Sequence, residues 1–295
     1  MRLRPLPVSV LLAVICLFVL PACAAQDKTA DKTADKTADK TADKTADKTA
    51  DKTADKTADK TADKTAEAPP ALQEYKGREL ARTMHYLGAP WLIRNSRENE
   101  ERCSLMLANL GIKRGQTICD LGCGNGFYSL QMAKMTGEKG KVLCVDIQQE
   151  MLDKLKVRAK EEGVGNIEPI LGKLWDPNLP DGKIDLILLV DVYHEFSHPE
   201  HMLKAMHKSL APGGRIALLE YRMEDPKVPI KRLHKMSKEQ IMKEYPPMGF
   251  KLVKEFDKLP WQHMMFFEKD DAKTKEDGTK EDGTKEDGTK EDGTK

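Results

Sequence analysis

Two stretches of this 295-residue chain carry residue types at spacings that can do chemistry. The first is Asp120-Leu121-Gly122-Cys123-Gly124-Asn125-Gly126-Phe127, three glycines at alternate positions behind an acid. Glycine accepts positive φ and leaves no Cβ between the main chain and a bound molecule, so such a turn suits close approach of a ligand. The acid narrows the ligand, because a carboxylate repels a pyrophosphate and attracts a cation. The spacing is also one residue short of the G-x-G-x-x-G of dinucleotide folds. A second acid, Asp146, stands 20 residues past Gly126, where a carboxylate can accept both hydroxyls of a ribose.

The second stretch is Asp191-Val192-Tyr193-His194-Glu195-Phe196-Ser197-His198. His194-Glu195-x-x-His198 spells a zinc-protease motif, and His201 would add a third nitrogen. That chemistry needs both histidines on one helix face. Pro199 pushes His198 out of the α region, and Ser197 with Pro199 reads as a helix start rather than a helix interior. Zinc proteolysis is therefore the weakest reading, and no metal is expected. What remains is a polar cluster of Asp191, Tyr193, His194 and Glu195 at a pocket mouth. His194 is the candidate base, its ordinary pKa lying near neutrality. A structural hydrogen bond would account for it equally well. Arg222, Glu224, His234 and His263 are weaker pocket candidates. Cys103, Cys119, Cys123 and Cys144 have no metal-ligand spacing; Cys119 and Cys144 read as small core residues.

These residues need a scaffold that brings them to one rim. Apolar runs at Thr117 to Leu121, Lys141 to Ile147, Asn166 to Leu171 and Ile184 to Val190 read as strands, the last buried on both faces. Helices are expected from Tyr128, over Gln149 to Glu162 and over Pro199 to Leu210, followed by a Pro212-Gly213-Gly214 turn and a strand at Arg215 to Glu220. Ser237-Lys238-Glu239-Gln240 is a capping box opening a late helix. Gly249 to Phe256 and His263 to Glu268 are expected as closing antiparallel strands. Ahead of the sheet, Leu72 to Leu87 and Ser96 to Leu110 read as two helices, with Ser96 as N-cap. Gly88 to Arg94, with Trp91, is placed either over the pocket or on the core.

The glycine turn with its leading acid, Asp146, the acid-ended fourth strand and the Pro-Gly-Gly turn together resemble the class I S-adenosylmethionine-dependent methyltransferases, nearest to the group with the ubiquinone and menaquinone C-methyltransferases. The resemblance covers nearly all of residues 67–270. It implies an α/β, Rossmann-like fold: a mostly parallel seven-stranded sheet, helices on both faces and an antiparallel closing strand. It implies S-adenosyl-L-methionine as cofactor, a phosphate-free ligand whose sulfonium and ammonium suit Asp120. The binding set is then Asp120, Gly122, Cys123, Gly124, Gly126, Phe127, Asp146, Ile147 and Asp191, with His194, Asp191 and Tyr193 as catalytic candidates. The acid that commonly holds the adenine amino group in that family is replaced here by Gly172-Lys173, with Asp176 three residues on.

The ends differ in composition. Residues 1–25 pair Arg2 and Arg4 with a 13-residue apolar run, Val8 to Leu20, and small residues after it, as in a secretory signal. Leu20-Pro21-Ala22-Cys23 resembles a lipobox, so lipidation of Cys23 and cleavage after Ala24 or Ala25 both stand. Residues 26–66 hold ten copies of Asp-Lys-Thr-Ala, and residues 271–295 hold four of Lys-Glu-Asp-Gly-Thr. Neither repeat has a large apolar residue to offset ordering entropy, and both read as disordered. The net charge of +1 gives no electrostatic support for nucleic acid. A small-molecule acceptor and a membrane association through the N-terminus are expected. Export conflicts with a methyl donor made in the cytosol, which leaves open a downstream start, an inward-facing domain, or an exported binding protein without catalysis.

Overall fold

The computed structural model describes residues 68–270. The expected signal segment at 1–25, the spacer at 26–66 and the tail at 271–295 lie outside the described residues. No helix among the described residues is long and apolar enough to cross a membrane.

Seven strands form one sheet: β3 (Thr117–Leu121), β4 (Lys141–Asp146), β5 (Ile167–Leu171), β6 (Ile184–Val190), β7 (Leu210–Tyr221), β8 (Phe250–Glu255) and β9 (Gln262–Lys269). Their order is β5-β4-β3-β6-β7-β9-β8, parallel except for β9, which runs antiparallel to both of its neighbours. The reversal at β3, where the chain leaves one half of the sheet for the other, opens a crevice at the strands' carboxyl ends.

The strand period of two sorts the core into two layers. Ile118, Val142, Cys144, Leu186, Leu188, Ala217, Leu219, Met264 and Phe266 share one face with α2 (Cys103–Asn109), α3 (Phe127–Thr136) and α4 (Gln149–Glu161). Cys119, Leu143, Val145, Ile187, Leu189, Ile216, Leu218, Met265 and Phe267 share the other with α5 (Pro199–Ser209) and α6 (Lys238–Glu244). Each buried Val, Leu, Ile, Met or Phe among them contributes about 1.5–3 kcal/mol before entropy is subtracted. Pro199 opens α5 at its first turn, and the Ser237 hydroxyl caps α6 by accepting from Gln240 N at 3.1 Å.

Three expected elements differ. The helix expected over Leu72 to Leu87 is a hairpin of β1 (Glu74–Tyr75) and β2 (Arg78–Glu79), followed by a 3-10 segment at Tyr86–Ile93. Lys76 and Gly77 have φ of 47° and 87°, both positive as a two-residue hairpin turn of type I′ requires, and this outweighs helical propensity. The helix expected over Ser96 to Leu110 is two, α1 (Arg97–Glu101) and α2, broken at Arg102 with φ 53° and ψ 54°. The Ser96 side chain makes no capping bond. The break lets Arg97 and Glu101 turn inward as a buried ion pair at 2.8 Å, with Arg94 on the other carboxylate oxygen at 2.6 Å. Finally, β7 begins at Leu210 and carries the Pro-Gly-Gly turn within it as an irregularity opposite Ile184 to Leu186.

Candidate active site

The glycine turn joins β3 to α3. Gly122, Gly124 and Gly126 have φ of 78°, 52° and 82°. A Cβ at Gly124 would lie 2.6 Å from Leu92 Cδ1, and Cβ atoms at Gly122 and Gly126 would collide with Val192 and Leu155. The backbone is thus excluded to side chains for both conformational and steric reasons. Gly122 N and Cys123 N both donate to Val145 O, and Gly124 N donates to Asp146 Oδ2 at 2.9 Å. The other Asp146 oxygen accepts from Gln148 N at 2.9 Å. One carboxylate therefore locks the turn after β3 to the start of α4.

Asp120 is buried beneath the turn, its Oδ2 accepting from the Ser129 hydroxyl at 2.5 Å. Burial pushes its pKa up to about 6, against the pull of Ser129. Burial also raises Asp146, opposed by the N–H groups of Gln148 and Gly124. Phe127 starts α3 with the Arg97 guanidinium 4.5 Å over its ring, the buried Cys123 lies beside Gly124 O at 3.6 Å, and Ile147 stands exposed at the rim.

A strap crosses this rim. Gln148 Oε1 accepts from Tyr86 N at 2.8 Å and Gln148 Nε2 donates to Met84 O at 2.9 Å. Asn125 Nδ2 donates to Ala89 O at 2.9 Å, and Leu92 rests on Gly124. Met84 N donates to the Glu195 carboxylate at 3.3 Å. The segment Gly88 to Arg94 thus lies on the glycine turn, through Ala89 and Leu92.

The second stretch divides. Asp191 has φ 51°; its Oδ2 accepts from Gln262 Nε2 at 2.6 Å, while Asp191 Oδ1 and Gln262 Oε1 are buried acceptors without a partner. Burial, with Glu101 and Glu220 nearby, holds Asp191 well above the usual carboxylate range. Tyr193, offered as catalytic, turns the other way. It is 0% exposed in the second core layer against Phe196 and Tyr245, and its hydroxyl donates to Glu244 Oε2 at 2.7 Å. The tight 3-10 turn at Tyr193–Glu195 points successive side chains apart, which sends Tyr193 inward and leaves His194 and Glu195 at the rim.

His194 is 2% exposed, with Nδ1 2.6 Å from Glu220 Oε2 and Nε2 3.0 Å from His234 Nδ1. Burial alone would lower its pKa, but the Glu220 carboxylate overrides this and raises it. Both ring nitrogens are thus engaged, one by a carboxylate and one by a second imidazole. Glu195 lies 3.9 Å from each of the two histidines. Burial pushes it up to about 7, opposed by His194 and by Met84 N–H. His198 does not join them: its Nε2 is 2.8 Å from Pro69 O. The spacing of the protease motif is therefore met in sequence and not in space.

Glu220, Gln148, Asn125, Glu101 and Gln262 were not anticipated as site residues. Glu220 did leave a signal, since it ends an apolar strand at the same rim as Asp120, Asp146 and Asp191. The other four act through the strap and the segments before β3 and after β8, whose positions depend on tertiary packing.

The site accommodates S-adenosylmethionine on its own chemistry. The turn excludes Cβ atoms, the buried Asp120 carboxylate lies beneath it, and the orphaned acceptors on Asp191 and Gln262 match N–H donors. A family model described as a methyltransferase domain matches residues 112–278, more than half of the chain. The chain is 34% identical over 112 residues to the ubiquinone/menaquinone biosynthesis C-methyltransferases of Escherichia fergusonii and Salmonella arizonae. That stretch is 38% of this chain and spans 45% of the length of each relative. Among solved structures, a SAM-dependent methyltransferase from Aquifex aeolicus matches with a TM-score of 0.59 at 24% identity, over 63% of this chain and 98% of that one.

Proposed function

This chain belongs to the class I S-adenosylmethionine-dependent methyltransferases, with S-adenosylmethionine as cofactor, and we propose that it methylates a small-molecule acceptor at the rim beneath the strap. The observation that carries the reading is the bond from Gly124 N to Asp146, which holds the glycine turn and the ribose-type acid in one rigid unit. The cofactor supplies a methyl group already activated on a sulfonium, so the protein's task is orientation more than bond activation.

The backbone of Gly122 to Gly126 and the Asp146 carboxylate would hold the nucleoside part. Asp191 Oδ1 and Gln262 Oε1 are the acceptors available to an ammonium. The strap from Met84 to Arg94, held by Gln148 and Asn125, would shield the turn from water. Where the acceptor arrives protonated, Glu195 can take the proton, since a carboxylate titrating at about 7 is poised for transfer near neutrality. Glu220 and His234 fix the His194 ring beside it.

The named relatives make a ubiquinone or menaquinone precursor the first acceptor to assay. Calorimetric titration of the full chain with S-adenosylmethionine, its demethylated product and NAD tests the cofactor. Tight binding of the first two with none of NAD is expected, and the reverse pattern would sink the proposal. Transfer of a labelled methyl group to the acceptor, slowed in Glu195→Gln with cofactor affinity kept within a few-fold, tests the chemistry.

A further inference from the structure

Three electron-pair donors converge at one point of the rim: His194 Nε2, His234 Nδ1 and Glu195 Oε1. The two nitrogens are 3.0 Å apart, and the oxygen is 3.9 Å from each. Two ligands bound about 2.1 Å from one ion lie roughly 3.0–3.4 Å apart at octahedral to tetrahedral angles, so the nitrogens already stand at bridging distance. The carboxylate oxygen, 3.9 Å from each nitrogen, closes the triangle by moving about 0.5–0.9 Å, within reach of a side-chain rotation.

The surroundings are those of a ligand set. The fully buried Glu220 takes the Nδ1 proton of His194 in a 2.6 Å hydrogen bond. That fixes the tautomer in which Nε2 presents its lone pair to the centre, the carboxylate–histidine arrangement that orients metal ligands. His194 N also donates to the other Glu220 oxygen at 3.2 Å, so the orienting carboxylate is itself held. Glu195 and His194 are adjacent in a 3-10 turn, and His234 ends a second one, Arg232–His234. The backbone there is held by Met236 N donating to Tyr221 O at 3.0 Å, one residue past Glu220 on β7. The three donors therefore sit on braced backbone.

We propose that His194, His234 and Glu195 form a binding site for a divalent cation of the zinc, cobalt or iron type. Two imidazoles and one carboxylate suit borderline divalent ions better than magnesium or calcium, which favour all-oxygen shells. Three protein ligands leave at least one position for water or an acceptor oxygen, as in sites that bind substrate rather than brace a fold. The site uses two residues of the protease-like motif but replaces His198 by a histidine 36 positions further on. A cation there would engage Glu195 in place of the proton-accepting role proposed above, and cobalt titration reads the site apart from methyl transfer.

The test is titration of tag-free, chelator-treated full chain with Co²⁺, followed by visible absorption, and then competition with Zn²⁺. One equivalent is expected, displaced by one equivalent of Zn²⁺. His234→Ala should abolish stoichiometric uptake, Glu195→Gln should weaken it at least tenfold, and Glu220→Gln should weaken it about 10–100-fold with an altered cobalt spectrum. His198→Ala should bind as the parent does. Circular dichroism and S-adenosylmethionine titration of each variant separate a lost metal site from a lost fold or a lost cofactor site. No stoichiometric uptake by folded parent protein, uptake that survives His234→Ala, or uptake lost in His198→Ala would each overturn the proposal.

Discussion

At Gly124 the constraint on the chain is sharpest, because positive φ and the approach of Leu92 act on the same atom position. Gly124→Val should remove detectable S-adenosylmethionine binding by calorimetry and cost about 1–2 kcal/mol in stability from the left-handed backbone alone. Asp146→Asn keeps the shape and removes the charge, and should weaken cofactor binding by about 1.5–3 kcal/mol, the scale of a hydrogen bond to a charged group. Unchanged affinity in either variant would place the cofactor elsewhere. The sequence revealed both positions because glycine spacing and strand-end acids are local signals. Tyr193 was misread for the opposite reason: in a short turn, adjacent residues diverge by packing, and no pattern in Asp191 to Phe196 says which one faces the core.

The strand-helix alternation from Thr117 onward was legible because each element is an apolar run or stripe with turn residues at its ends. The segment ahead of it was not. Its hairpin depends on positive φ at Lys76, a residue with no special tolerance for it, and the break at Arg102 depends on a buried ion-pair cluster. The strap is what this segment contributes. Gln148 holds it by two hydrogen bonds, each worth about 0.5–1.5 kcal/mol net. Gln148→Ala should accelerate cofactor dissociation several-fold in stopped-flow measurements while the melting temperature falls by only a few degrees. Proteolysis within residues 82–96 should quicken in the same variant. A dissociation rate equal to the parent's would mean that the strap does not retain the cofactor.

For the molecule as a whole, the buried acids set the pH dependence of stability. Asp120 titrates at about 6 instead of 3.8, and Glu195 at about 7 instead of 4.5. Both folded values lie above the unfolded ones, so the folded state binds protons more tightly. Their contribution is complete below the unfolded values and is lost as pH rises to about 7. His194, also raised, acts in the same direction from its ordinary 6.5 upward. Glu101, held low by Arg97 and Arg94 despite its burial, opposes them as pH falls toward acid. The melting temperature should therefore be higher at pH 5.5 than at pH 8, and Asp120→Asn with Glu195→Gln should flatten the slope. A positively charged ligand relieves the strain of ionised Asp120, so saturating S-adenosylmethionine should also reduce the slope. A melting temperature that climbs steadily from pH 5.5 to 8 in the parent would contradict this assignment of charges.

The placement of β9 bears on how the molecule is made. This strand, the last in the described chain, lies between β7 and β8 and supplies Met264, Met265, Phe266 and Phe267 to both core layers. On a ribosome, the other described strands emerge before the one that joins β7 to β8. Until Gln262 to Lys269 is synthesised, β7 presents an open edge, the two layers lack their common filling, and β8 has nothing to pair with. The nascent chain must therefore wait, with its apolar surfaces uncovered, for β9. A stalled product ending near Leu259 should be captured by holdase chaperones and digested rapidly, whereas one extended past Asp270 should resist protease once its C-terminal residues clear the exit tunnel.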